Sequence, residues 1–215
     1  MKKVIALMLA VVLLFALAAC GADDAVAKQL QADSWINVNN ADTYVFGEDG
    51  TGTHDDISIS YSVEDGKIMV TEGTGSIAAT EFTLNTEGEV PKLIKSDDNS
   101  YYVPSANYDE ISEQIKQENT KILTSEEFWK VDGKTAYLQF LAAEDETEGG
   151  GWLVMMNNTF GMEWSFADNN TVKVTAFTED MLGHNNVTQL DIINENGSYY
   201  LATADGSTTY HPYNK

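Results

Sequence analysis

The chain starts with Lys2 and Lys3, runs through unbroken apolar sequence from Val4 to Ala19, and then changes texture. From Trp35 onward, short runs alternate apolar and polar residues, as in Ile57-Ser58-Ile59-Ser60-Tyr61-Ser62-Val63 and Ile68-Met69-Val70-Thr71. Alternation with period two sends one face of an extended strand to a core and the other to water. Asp49-Gly50, Asp65-Gly66, Glu87-Gly88, Asp132-Gly133, Asn196-Gly197 and Asp205-Gly206 interrupt the runs, and such dipeptides close hairpins. The pattern predicts a mainly all-β, antiparallel protein. One stretch, Tyr108 to Leu123, instead carries Ile111, Ile115 and Ile122 among Glu, Gln and Lys, a spacing that predicts an amphipathic helix over 107–123.

The two halves of the β region resemble each other. Trp35 pairs with Trp129, Phe46 with Phe140, Tyr61-Ser62-Val63-Glu64-Asp65 with Trp164-Ser165-Phe166-Ala167-Asp168, and Val70-Thr71 with Val174-Thr175. Ser100-Tyr101-Tyr102-Val103 is matched to Ser198-Tyr199-Tyr200-Leu201. An internal duplication of this kind predicts two tandem units, over 34–106 and 124–215, each with six or seven short strands, joined by the helix. Curling each unit into a small barrel hides its edges. One larger barrel completed by both copies is the alternative.

The N-terminal segment has its own chemistry. Its apolar run is shorter than the roughly 20 residues that cross a bilayer as a helix, and it ends in Leu17-Ala18-Ala19-Cys20-Gly21. A charged start, an apolar core and small residues at the end are the parts of a secretory signal peptide, here 1–19. The terminal string resembles the lipobox of bacterial lipoproteins. That resemblance implies a diacylglyceryl thioether on Cys20 and acyl anchoring to the membrane on its extracytoplasmic face. The small, polar and acidic sequence that follows reads as a tether, 20–33 with the lipidated Cys20, with a short helix at Ala25 to Leu30 at most. Gly21 in place of Asp gives no inner-membrane retention cue, which favours a Gram-positive membrane. Cys20 is the only cysteine, so no thiol remains for a disulfide, a thiolate metal site or a nucleophile.

Charge removes one class of partner. The chain has 34 acidic and 12 basic residues, a formal net charge of −22, and every basic residue is lysine. Such a field repels nucleic acid, and without arginine there is no bidentate fork for phosphate. The acidity can attract Ca²⁺ or a cationic partner, or simply keep the surface soluble.

In its first half the chain also resembles the lipocalin-like domains of bacterial lipoproteins. Trp35 stands on the first strand, and a Phe46-Gly47-Glu48-Asp49-Gly50-Thr51-Gly52-Thr53 hairpin follows. In the second half Phe140 is followed by Ala142-Ala143-Glu144-Asp145 and then Gly149-Gly150-Gly151, a longer turn. The lipocalin signature also wants a glycine two residues before each Trp, where Asp33 and Glu127 stand, and a late arginine, which this chain lacks. The resemblance therefore implies a fold and no particular ligand.

Catalytic patterns are missing: there is no G-x-S-x-G, no H-E-x-x-H and no phosphate loop. His54, His184 and His211 fall at unrelated places in the two halves and read as loop or strand-end residues. Asp55-Asp56 and Glu126-Glu127 are paired carboxylates of a kind expected in so acidic a chain. Asp97-Asp98-Asn99, Asp168-Asn169-Asn170 and Asn194-Glu195-Asn196 are oxygen-rich, but none matches a calcium loop. No catalytic residue, metal site or cofactor is assigned, and Cys20 is the one site residue. Trp152, Phe160, Trp164, Phe166 and Phe177, with Met155, Met156 and Met162, crowd the second half. They are either core or the wall of an apolar pocket.

The expectation is a membrane-anchored, non-enzymatic binding module for a small apolar ligand, a glycan or an envelope partner. The alternative is a structural or interaction protein with filled barrels. Hollow or filled interiors separate the two.

Overall fold

The structure, a computed structural model, describes residues 22–73, 78–142, 146–156, 158–178 and 186–213. The signal segment and Cys20 lie outside the described residues, as do Ala143, Glu144, Asp145 and His184. Among the described residues, no helix is long and apolar enough to cross a membrane. The chain divides into two compact units, with the boundary between Asp109 and Glu110.

The first unit is a closed antiparallel barrel of eight strands in sequence order: β1 (Ser34–Asn37), β2 (Thr43–Phe46), β3 (Thr51–His54), β4 (Ile57–Glu64), β5 (Lys67–Glu72), β6 (Thr80–Asn85), β7 (Lys92–Lys95) and β8 (Tyr101–Pro104). Closure comes from β8 pairing with β1, Trp35 opposite Pro104. The second unit is also a closed eight-stranded barrel: β9 (Phe128–Val131), β10 (Ala136–Leu141), β11 (Glu148–Met155), β12 (Asn158–Phe166), β13 (Thr171–Ala176), β14 (Asn186–Glu195), β15 (Ser198–Thr203) and β16 (Thr209–Tyr213). Trp129 faces Pro212 where β9 meets β16. Both barrels thus hold eight strands, one or two more than the sequence pattern resolved. Several strands are short, β3 and β7 among them with four residues each, too few for an alternation to stand out.

Hairpin chemistry is where the dipeptides predicted it. Asp65 and Asn196 take positive φ of 53° and 54°, followed by Gly66 and Gly197, and close two-residue turns between β4 and β5 and between β14 and β15.

The repeating unit is larger than a barrel. A helix, α1, covers residues 22–31, where a tether was expected, and Leu30 near its end is sealed in the first core. The second helix, α2 (Ser105–Ser125), extends two residues beyond the predicted span at each end, and its Leu123 is sealed in the second core. In both units the buried Trp on the first strand donates its indole N–H to the carbonyl of that leucine, Trp35 to Leu30 at 3.0 Å and Trp129 to Leu123 at 2.9 Å. A helix end leaves such carbonyls without an intrahelical partner, so the indole both fills the barrel floor and caps the helix.

Each helix is also tied to the turn between the fourth and fifth strands of its barrel. Asp23 accepts from the backbone N–H of Gly66 at 2.9 Å. In the second unit Ser112 donates to the Asn169 side chain at 2.6 Å, and Asn119 to the Asn169 carbonyl at 2.7 Å. This explains a departure from the predicted helix face: Ser112 and Asn119 are buried while Ile111 and Ile115 are only half-buried. It also accounts for Asp168-Asn169-Asn170, whose Asp168 carboxylate accepts from the backbone of Asn170 and Thr171.

Register corrects one of the repeat pairings. Tyr102, on the last strand of its barrel, faces Leu93; Tyr210, on the last strand of the second, faces Leu201. Tyr102-Val103-Pro104 therefore corresponds to Tyr210-His211-Pro212, and Tyr199-Tyr200 on the seventh strand is not the counterpart of Tyr101-Tyr102. A shared Tyr-Tyr dipeptide is a weak anchor when loop lengths differ. Register also restores a pairing that looked degraded. Gly52 faces Phe46 and Gly151 faces Phe140, and a Cβ at either glycine would lie 2.0 or 1.9 Å from a carbonyl of the neighbouring strand. Both barrels need glycine there because two backbones approach too closely for a side chain.

Candidate functional site

Each helix lies at the end of its barrel where the first strand begins. The opposite end, the mouth, is where strands one, three, five and seven finish and two, four, six and eight start. Register places five residues of one mouth on five of the other: Asp42 on Ala136, Tyr44 on Leu138, His54 on Leu153, Glu72 on Ala176, and Tyr102 on Tyr210.

In the first barrel these residues form one network. The His54 ring nitrogens sit 2.7 Å from a Glu72 oxygen and 2.9 Å from an Asp42 oxygen. Tyr44 and Tyr102, both buried, donate to Glu72 and Asp42, each at 3.2 Å. The Tyr44 ring lies parallel to the imidazole with centroids 4.1 Å apart and meets Tyr102 edge-on at 5.2 Å. Burial works against a charge on His54, but hydrogen bonds to Asp42 and Glu72 outweigh it and raise its pKa above the ordinary 6.5. Burial, reinforced by the nearby charged groups, pushes both tyrosine pKa values up, so these hydroxyls stay protonated donors. With both ring nitrogens engaged by carboxylates, the imidazole has no lone pair left for a metal. Among the described residues no group of three His, Cys, Asp or Glu side chains is arranged to hold one.

In the second barrel four of the five positions are aliphatic and the fifth is Tyr210, and a cavity of about 250 Å³ lies there. Leu138, Leu153, Met155, Val174, Leu190 and Tyr210 line it, and at its rim Asn186 donates to the Thr178 carbonyl and hydroxyl. A larger concavity of about 580 Å³ lies over β11–β13 near Glu148, Glu163 and Lys173. It is the weaker candidate, because charged, water-facing side chains line it and few apolar groups converge there.

Of the crowded aromatics and methionines, only Met155 lines the mouth cavity. Met162 and Trp164 are core, as the plainer reading had it, while Trp152 and Phe177 are 46% and 45% exposed. His211 is a strand residue, its ring stacked on Tyr200. His54 also ends a strand, as expected, but its two carboxylate partners come from elsewhere in the chain, 12 and 18 residues away, and no local spacing announces them. Leu153 and Tyr210 likewise gave no sequence signal, because each belongs to an ordinary alternating run.

Fold and sites together define the class of protein: two tandem, helix-floored, eight-stranded antiparallel barrels, one with a polar mouth and one with an apolar mouth. The chain matches no protein-family model, no curated protein and no solved structure.

Proposed function

We propose that this is a non-enzymatic, lipocalin-like lipoprotein that is anchored through Cys20 to the extracytoplasmic face of a membrane and uses its second barrel to bind a small apolar molecule. The observation that carries the reading is the apolar mouth cavity of about 250 Å³. Where the first barrel places a hydrogen-bonded network in its mouth, the second leaves space walled mainly by apolar side chains with Thr178, Asn186, Thr188 and Tyr210 among them, a mixture that suits a small-molecule site. The lipobox string and the signal segment support the anchor.

The hydrogen-bonded mouth of the first barrel favours the alternative function for its own half, an interaction module that presents its outer surface to an envelope partner.

Native mass spectrometry of the protein purified from its own host, before and after organic extraction, tests the binding reading. An extractable adduct, missing from a Leu153→Trp variant that fills the cavity, is the expected result. A bare mass, together with no response to added propylbenzene, would leave only the interaction reading.

A further inference from the structure

We infer that the second-barrel cavity selects an uncharged apolar molecule carrying one hydrogen-bond acceptor, such as a ketone, aldehyde or ester, which takes a hydrogen bond from Tyr210. This rests on the proposed binding function of the apolar mouth and adds the chemistry of its ligand.

The two barrels supply the argument. Both keep a tyrosine at this position of the last strand. Tyr102 donates its hydroxyl to Asp42. Ala136 stands where the second barrel would need that acceptor, and Ala176 stands where the first barrel has Glu72. Among the described residues the Tyr210 hydroxyl makes no hydrogen bond, although the ring packs against the core and lines the cavity. The hydroxyl is not sealed in the core, so a ligand in the cavity can supply the acceptor that the protein does not. Burial alone raises the Tyr210 pKa, so the group is a neutral donor. Thr188, like its counterpart Thr80, adds a small hydroxyl that can donate or accept, so it does not distinguish the mouths.

Charge and size narrow the ligand. Among the described residues that line the cavity there is no lysine to meet a carboxylate and no Asp or Glu to meet an amine, and an unpaired charge is expensive to bury. A dry cavity of ~150 Å³ takes benzene, so about 250 Å³ suits about ten non-hydrogen atoms by the same scaling.

The test is NMR titration of the full-length protein with two probes of one skeleton, propylbenzene and its carbonyl analogue propiophenone. We expect both to bind, with propiophenone about three- to tenfold tighter, the range one neutral hydrogen bond supplies. Tyr210→Phe should bring the two probes to equal affinity. Ala136→Asp should erase the preference too, by giving Tyr210 the internal acceptor that Tyr102 has, and it keeps the inference testable if Tyr210→Phe does not fold. Equal binding of the probes to the unmodified protein, or a preference that survives both substitutions, would overturn the role of Tyr210 and leave the apolar mouth intact as a binding site. Failure of both probes to bind would overturn the binding reading itself.

Discussion

The two mouths are built on one frame and differ at four of five matched positions. Asp42, Tyr44, His54 and Glu72 in the first barrel become Ala136, Leu138, Leu153 and Ala176 in the second, and only the tyrosine of the last strand is common. At the floors the balance is reversed: each barrel has the Trp, the capped leucine and the glycine across from a buried Phe. The floor specifies the fold, and the mouth is where a unit departs without losing it. In the first mouth His54 ties Glu72 to Asp42 Oδ2 and the two tyrosines add a bond each, which holds one arrangement even though Asp42 Oδ1 is buried with no partner among the described residues. Aliphatic side chains around a gap impose no such arrangement and leave room for a guest.

The floors should respond alike and strongly. Trp35→Ala and Trp129→Ala each remove a fully buried indole and should cost their own barrels about 3–5 kcal/mol, measured by hydrogen exchange of the core amides in each unit. A large difference between the two would show that the floors are not equivalent.

At the mouths the responses should diverge. His54→Leu, which copies the second barrel at one position, leaves Asp42 and Glu72 without their shared partner and should cost about 1–2 kcal/mol, because these side chains are only partly buried and solvent screens part of the loss. The triple change Asp42→Ala, His54→Leu, Glu72→Ala removes the stranded charges as well and should recover most of that loss in denaturant melts. If the triple variant is as unstable as the single one, the network is not the reason the first mouth is polar.

A smaller contrast lies in the common tyrosine. Tyr102→Phe deletes a buried donor to Asp42 and should destabilise the first barrel by about 1–2 kcal/mol. Tyr210→Phe deletes a hydroxyl with no partner among the described residues and should change stability by no more than about 0.5 kcal/mol, read as a shift in melting temperature.

The mildest effect is on pH. Because the folded-state pKa of His54 is raised, its contribution to stability is fully present below the unfolded value of about 6.5 and is lost as pH rises through the folded value. The first barrel should therefore weaken on the alkaline side of that window. A His54→Gln variant, compared with the unmodified protein across pH 5–9 by thermal melts, should flatten the response. An unchanged slope would remove His54 as its source.

Much of this was legible in the sequence. Period-two alternation and turn dipeptides gave antiparallel β structure, because pleat geometry and left-handed turn residues are local requirements. Repetition of Trp35 and Phe46 as Trp129 and Phe140 gave two units, because identical floors need identical large side chains. The region over 22–31 was less legible, since its charged residues Asp23, Asp24 and Lys28 hide a helix whose buried contact rests chiefly on Leu30, with Val26 partly buried beside it. Neither mouth was legible at all. His54 meets Asp42 and Glu72 only because antiparallel register brings three strand ends together, and the Tyr210 hydroxyl is left over only because the residue register sets near it is Ala136. Sequence by itself determined the strand-and-turn grammar, the duplication and the acidic, arginine-free surface, all of which follow from each residue and its near neighbours. Only the tertiary structure decided that one mouth carries a hydrogen-bonded network and the other an apolar cavity, because both depend on side chains from separate strands that become neighbours when the barrel shuts.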